Sequence, residues 1–207
     1  MIRIPESVAF YWDDPVNRAA LNILQDLTEV PADLSLDEAE RFELAALAAR
    51  RVRVDYWLMM RELWAAVWGE AVRAQLPSAR LLGYGGHGNF AATAGEVYAD
   101  PSVAHAWAEA GHCGVFELPG NNHLFTAVWL TEDEREIQLQ FYVVDADQSC
   151  AISDGLELGA DWADDGESRR ETRGGCFPLA KGPTGLDHSA ASQCASDAIH
   201  TFTSVLA

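Results

Sequence analysis

Lysine is almost missing from this 207-residue chain: Lys181 is the only one, and 14 basic residues against 32 acidic ones leave a formal charge of -18. A surface of that sign repels nucleic acid, anionic lipid and acidic substrates, and it attracts basic protein surfaces. Direct binding of nucleic acid or of a membrane surface is therefore not expected. Cysteine is also scarce. Cys113, Cys150, Cys176 and Cys194 are far apart and form no CxxC pair, which argues against a disulfide framework or a finger-type zinc site and for reduced thiols packed as small apolar residues. No stretch of eighteen apolar residues occurs, and residues 1–10 lack the basic start and long apolar middle of a secretory signal. Neither a membrane span nor a leader is predicted, so a cytoplasmic location is expected.

What is present is enough to fold. Apolar residues make up 49 % of the chain, sufficient for a full core, and the length fits a single domain over residues 1–207 with a helical part (1–78) and a sheet part (79–207). The charge is unevenly distributed. Between Val144 and Glu167 stand Asp145, Asp147, Asp154, Glu157, Asp161, Asp164, Asp165 and Glu167 with no lysine or arginine among them. Residues 50–73, by contrast, carry Arg50, Arg51, Arg53, Arg61 and Arg73 against Asp55, Glu62 and Glu70. Acidic, lysine-poor composition also serves solubility or salt tolerance, but that use predicts carboxylates spread over every face.

The first third reads as helix. Asp14 and Pro15 suit an N-cap and first helical position, followed by Val16, Ala20, Ile23, Leu24 and Leu27 at helical spacing until Pro31. Ser35 and Glu38 form a capping-box pattern that opens a segment reaching toward Leu76 and Pro77. Within it Phe42, Ala49, Tyr56 and Leu63 make one seven-residue column and Ala45, Val52, Met59 and Ala66 a second, which together form one seam. Trp57, Arg61, Trp64 and Trp68 share an adjacent face. The tryptophans are expected to pack on the following sheet, or in part to anchor a partner, and Gly69 is a candidate break in so long a helix.

After Pro77 the pattern changes. Gly83, Gly85 and Gly88 satisfy GxGxxG, but a dinucleotide site needs a second strand ending in an acid about twenty residues on. Here Asp100 and Pro101 instead resemble the start of a short helix over 103–110, so the glycines read as a turn into the sheet. A strand is expected at 115–118. Residues 123–130 alternate Leu124, Thr126, Val128 and Leu130 against Phe125, Ala127 and Trp129, and 137–143 alternate apolar residues against Gln138, Gln140 and Tyr142, an antiparallel meander with one wetter face. Irregular loops are expected over 151–184, with a short strand near Ile152, and a closing helix over 189–206. The fold class is thus α+β: a helical N-terminal region on an antiparallel meander, an acidic loop-rich segment and a C-terminal helix.

Three kinds of site follow from residue chemistry: a nucleophilic one, a metal-binding one and a partner-binding one. Cys113, His123 and Asp145 stand in the order nucleophile, base and orienting acid, since a thiol needs a neighbouring imidazole to populate its thiolate. Asp145 and Asp147, with His123 or Glu136, would supply oxygen-rich ligands for Mg²⁺ or Mn²⁺, as in a metal-dependent nuclease, and His112, Cys113, Cys150 and Cys176 are the residue types of a zinc site. A nuclease strand carrying acid, spacer and lysine is missing, with the only lysine far away in the chain, and the zinc residues have no recognisable spacing, so no metal and no cofactor is expected. The third site is the acidic segment itself, with Asp145, Asp147, Asp154, Asp161, Asp164 and Asp165 as steering and rim charges and Trp162 as an aromatic anchor for a basic partner protein. Such a chain is expected to act as an inhibitor or antagonist, mimicking nucleic acid at a DNA- or RNA-handling enzyme or neutralising a basic toxin. The alternative is a cysteine-dependent hydrolase.

Overall fold

The computed structural model of the chain describes residues 1–13, 16–17, 19–20, 23, 30–86, 89–90, 111–130, 136–144, 156, 158, 162–164, 173–178, 180–182 and 185–206. Helix α1 (Glu6–Asp13) follows Pro5, whose carbonyl accepts the amides of Val8 and Ala9. The helix expected after Asp14 and Pro15 is a separate stretch: those two residues lie outside the described ones, while Val16, Asn17, Ala19, Ala20 and Ile23 are helical. Helix α2 (Leu36–Trp64) begins where its capping box predicts: the backbone N–H and the hydroxyl of Ser35 both donate to Glu38 Oε2, at 2.9 and 2.6 Å. The expected seam closes only over its second half. Ala49, Val52, Tyr56, Met59 and Leu63 are buried, whereas Phe42 is half-buried and Ala45 exposed.

Helix α2 runs directly into a π-helical turn (Ala65–Gly69) and then helix α3 (Glu70–Gln75). The Glu70 amide reaches back five residues to the Ala65 carbonyl, so the break anticipated at Gly69 takes the form of one widened turn. Trp57, Trp64 and Trp68 are at most 2 % exposed. They belong to the core.

Among the described residues seven strands form one antiparallel sheet: β1 (Arg80–Gly86), β2 (Asn89–Phe90), β3 (Gly111–Glu117), β4 (His123–Leu130), β5 (Glu136–Val144), β6 (Trp162–Asp164) and β7 (Arg173–Pro178), in the order β2-β1-β3-β4-β5-β7-β6. Two glycines of the motif are therefore part of a strand, since Gly83 and Gly85 pair with Val115 and Cys113 of β3, and Gly88 lies outside the described residues. Likewise β6 and β7 occupy a stretch whose composition suggests loops. The 103–110 helix and the Ile152 strand lie outside the described residues. A hairpin of β8 (Ala180–Gly182) and β9 (Gly185–Asp187) is tied to the chain's start, where Ile2 and Leu186 exchange backbone hydrogen bonds of 3.0 and 2.7 Å. Gly185 has φ +148°, and a side chain there would strike the Ile2 carbonyl.

One face of the sheet carries the core. Helix α2 lies on β3 and β4, and helix α4 (Ser189–Leu206) touches β5, β7, the π turn and α3. Leu124, Val128, Ile137, Leu139, Phe141 and Val143 are completely buried on this side, with Ala195, Ile199 and Phe202 of α4 in the same cluster. Gly114 makes room for Trp64, because a Cβ at that position would overlap its ring. The Trp64 indole then donates to Thr126 Oγ1 at 3.0 Å, and Trp68 donates to the Ala127 carbonyl at 2.8 Å. The opposite face bears Phe125 stacked on Tyr142 at 4.5 Å and Trp129 bonded to Gln140 Oε1 at 3.1 Å. Its glutamines are half-buried, as their alternation implies.

Candidate functional site

Pairing register gathers the polar candidates at one end of the sheet. Arg80 stands opposite Glu117, Glu117 opposite His123, and His123 opposite Val144. Because residues directly opposite in an antiparallel ladder share a face, Arg80, Glu117 and His123 form a row across three strands. Arg80 donates from Nε and Nη2 to one carboxylate oxygen of Glu117, at 2.9 and 2.7 Å. His123 is half-buried, and its Nδ1 is covered without a hydrogen-bond partner among the described residues. Asp145 follows Val144 and lies outside those residues, so the described carboxylate opposite His123 is that of Glu117. Glu117 and His123 flank the short Pro119–Asn121 turn.

Cys113 is placed elsewhere. It is half-buried and stands opposite Ala127, four residues along β4 from His123, an offset of about 13 Å at the rise of an extended strand. The register does not bring thiol and imidazole together. Nor does it support the zinc set, because His112 and Cys113 are adjacent on one strand and face opposite sides of the sheet. Cys176 stands opposite Gln138 and Glu136 begins β5 opposite Pro178, while Cys150 and Asp147 lie outside the described residues. Among the described residues no group of three or more His, Cys, Asp or Glu is arranged to hold a metal ion.

His112 instead belongs to the core. It is fully buried between Trp57, edge-on at 5.5 Å, and Trp64 at 5.9 Å, with the Arg61 guanidinium over the Trp57 ring at 5.6 Å. Burial, assisted by the positive charge of Arg61, pushes its pKa down to about 3. The imidazole is therefore neutral at physiological pH.

The acidic segment is fastened to the opposite edge of the sheet. Among the described residues β6 is the outermost strand, and its Asp164 pairs with Arg173 of β7, which pairs in turn with Phe141 of β5. Leu156 is 6 % exposed within the core, and Leu158 and Trp162 pack against it. The Trp162 ring meets Phe141 edge-on at 5.5 Å and Trp68 at 6.2 Å. Much of the proposed aromatic anchor thus rests on the protein's own core, and only the remaining part of the ring is open. Asp154, Asp161 and Asp165 lie outside the described residues. Among the described residues no helix is long and apolar enough to cross a membrane.

Comparison with protein families, curated proteins and solved structures finds no match to this chain.

Proposed function

We propose that this chain is a binding protein for a basic protein surface, with the segment from Asp145 to Asp165 as its contact region. One observation carries the reading. Within a run of eight carboxylates free of lysine and arginine, Leu156, Leu158 and Trp162 are engaged on the core beside an edge strand. A charged segment held at three points loses less conformational freedom on binding than a loose acidic tail would. Its carboxylates steer a cationic partner and set the register of docking, while the open part of Trp162 and neighbouring apolar atoms slow dissociation. An inhibitor of a nucleic-acid-handling enzyme and an antidote to a basic toxin both require this chemistry.

The test begins with partners captured from host lysate at low salt and eluted at high salt. For each, the association rate is measured across ionic strength with the wild type and with an Asp161→Asn/Asp164→Asn/Asp165→Asn variant. The rate is expected to fall about tenfold or more as salt screens the field, and the variant to bind more slowly. A rate that ignores salt, or a variant that binds as the wild type does, removes the acidic surface from the mechanism.

A further inference from the structure

The first half of α2 projects an apolar stripe that the described residues leave open. Leu36, Leu44 and Leu47 are 90, 60 and 48 % exposed. At 100° per residue they lie on one side of the helix with Glu40 and Arg51. Ala48 beside them is also exposed, and a small residue lets a second helix approach closely. The charges on that side of the helix are ordered: Asp37, Glu40 and Glu43 over residues 36–48, then Arg50 and Arg51 against Asp55.

That order selects the occupant. A basic partner would meet the arginines of the second half, and an acidic partner the carboxylates of the first. A parallel copy would set like charges against like. An antiparallel copy complements both halves at once. The register is set as well, because Leu44 and Leu47 share a midpoint with Glu40 and Arg51. A two-fold axis through that midpoint places Leu44 against the second copy's Leu47 and Glu40 against its Arg51, each pair occurring twice. Glu40 is exposed, and the Arg51 side chain is 65 % exposed while its Nε meets Asp55 at 3.0 Å.

The geometry points to a second copy of this chain as the partner of α2, packed antiparallel across the stripe from Leu36 to Arg51 and held in register by two Glu40–Arg51 ion pairs. The stripe spans about 23 Å of helix, so the contact belongs with small interfaces, and the repulsion between two chains of formal charge -18 weakens it further. The dimer is accordingly a weak one, with sedimentation showing it at about 0.1 to 1 mM protein in physiological salt.

Charge exchange tests the register. Glu40→Arg and Arg51→Glu are each expected to weaken self-association about tenfold. An equimolar mixture of the two restores it as a heterodimer, because each unlike pair is rebuilt only between different variants. The double variant E40R/R51E restores the homodimer. Leu44→Glu abolishes association, and since all three positions are exposed, circular dichroism confirms that each variant remains folded. A wild type that is monomeric at about 1 mM overturns the proposal, as does a dimer indifferent to these exchanges. The D161N/D164N/D165N variant should not disrupt this dimer, so the outcome is separable from that of the acidic contact region.

Discussion

His112 shows how one buried residue couples stability to pH. In the fold its pKa lies at about 3, against 6.5 for the free side chain, so between those values the unfolded chain takes up a proton that the folded chain refuses. Stability from this residue is complete above pH 6.5 and is lost as pH falls, with a slope of up to about 1.4 kcal/mol per pH unit. Urea unfolding of the wild type and of His112→Phe between pH 7 and 5 isolates it from the carboxylates, which titrate mainly lower. The wild type is expected to lose stability more steeply than the variant, and equal slopes would refute the assignment. The neighbouring contact is steric. Gly114→Ala places a methyl group in the volume of the Trp64 ring and is expected to cost about 1 to 3 kcal/mol by overpacking. Trp64→Phe removes the donor to Thr126 Oγ1 at a cost of about 1 to 3 kcal/mol. Both are read as shifts of the urea midpoint at constant m-value.

At the scale of elements, what could be read in advance was whatever repeats. The alternation in β4 and β5, the apolar spacing of α4 and the Ser35–Glu38 capping box reappear close to their expected bounds. Strands β1 and β7 were not legible. Gly83 and Gly85 in one and Gly174 and Gly175 in the other interrupt the alternation, and each strand is fixed by its pairing with β3 or β5 rather than by its own pattern. The early start of β3 was hidden for a related reason: Gly111, His112, Cys113 and Gly114 have no strand-like pattern, which is why His112 resembled a zinc ligand rather than a core residue. The candidate site was legible only as composition. Its carboxylates stand in the sequence, but the cross-strand row of Arg80, Glu117 and His123 depends on register, which no local signal reports. The capping box itself predicts a local effect. Ser35 holds the Glu38 carboxyl below its usual pKa, so Ser35→Ala should lower hydrogen-exchange protection in the first turn of α2 and leave the amides around Leu63 unchanged. Equal loss along the helix would mean that the cap supports more than its own turn.

For the molecule as a whole, the formal charge of -18 acts on two equilibria with opposite sign. Mutual repulsion among carboxylates opposes the compact state, so screening by salt is expected to raise stability until the Debye length falls to a few ångströms, which occurs at about 1 M. Attraction to a cationic partner is screened by the same ions, so association slows over the same range. A charge that served solubility alone would show the first trend without the second. The acidic segment supplies a further distinction, because its charges are concentrated in sequence. Neutralising Asp161, Asp164 and Asp165 together should raise stability at low salt and slow partner association in the same variant. Neutralising Asp37, Glu43 and Glu62 removes as much charge from exposed positions on α2 and should relieve the repulsion with little change in the association rate. Thermal unfolding and stopped-flow association of the two triple variants, at low and high ionic strength, provide the comparison. If both variants slow association equally, net charge rather than the segment steers the partner, and the contact region proposed for Asp145 to Asp165 is wrong.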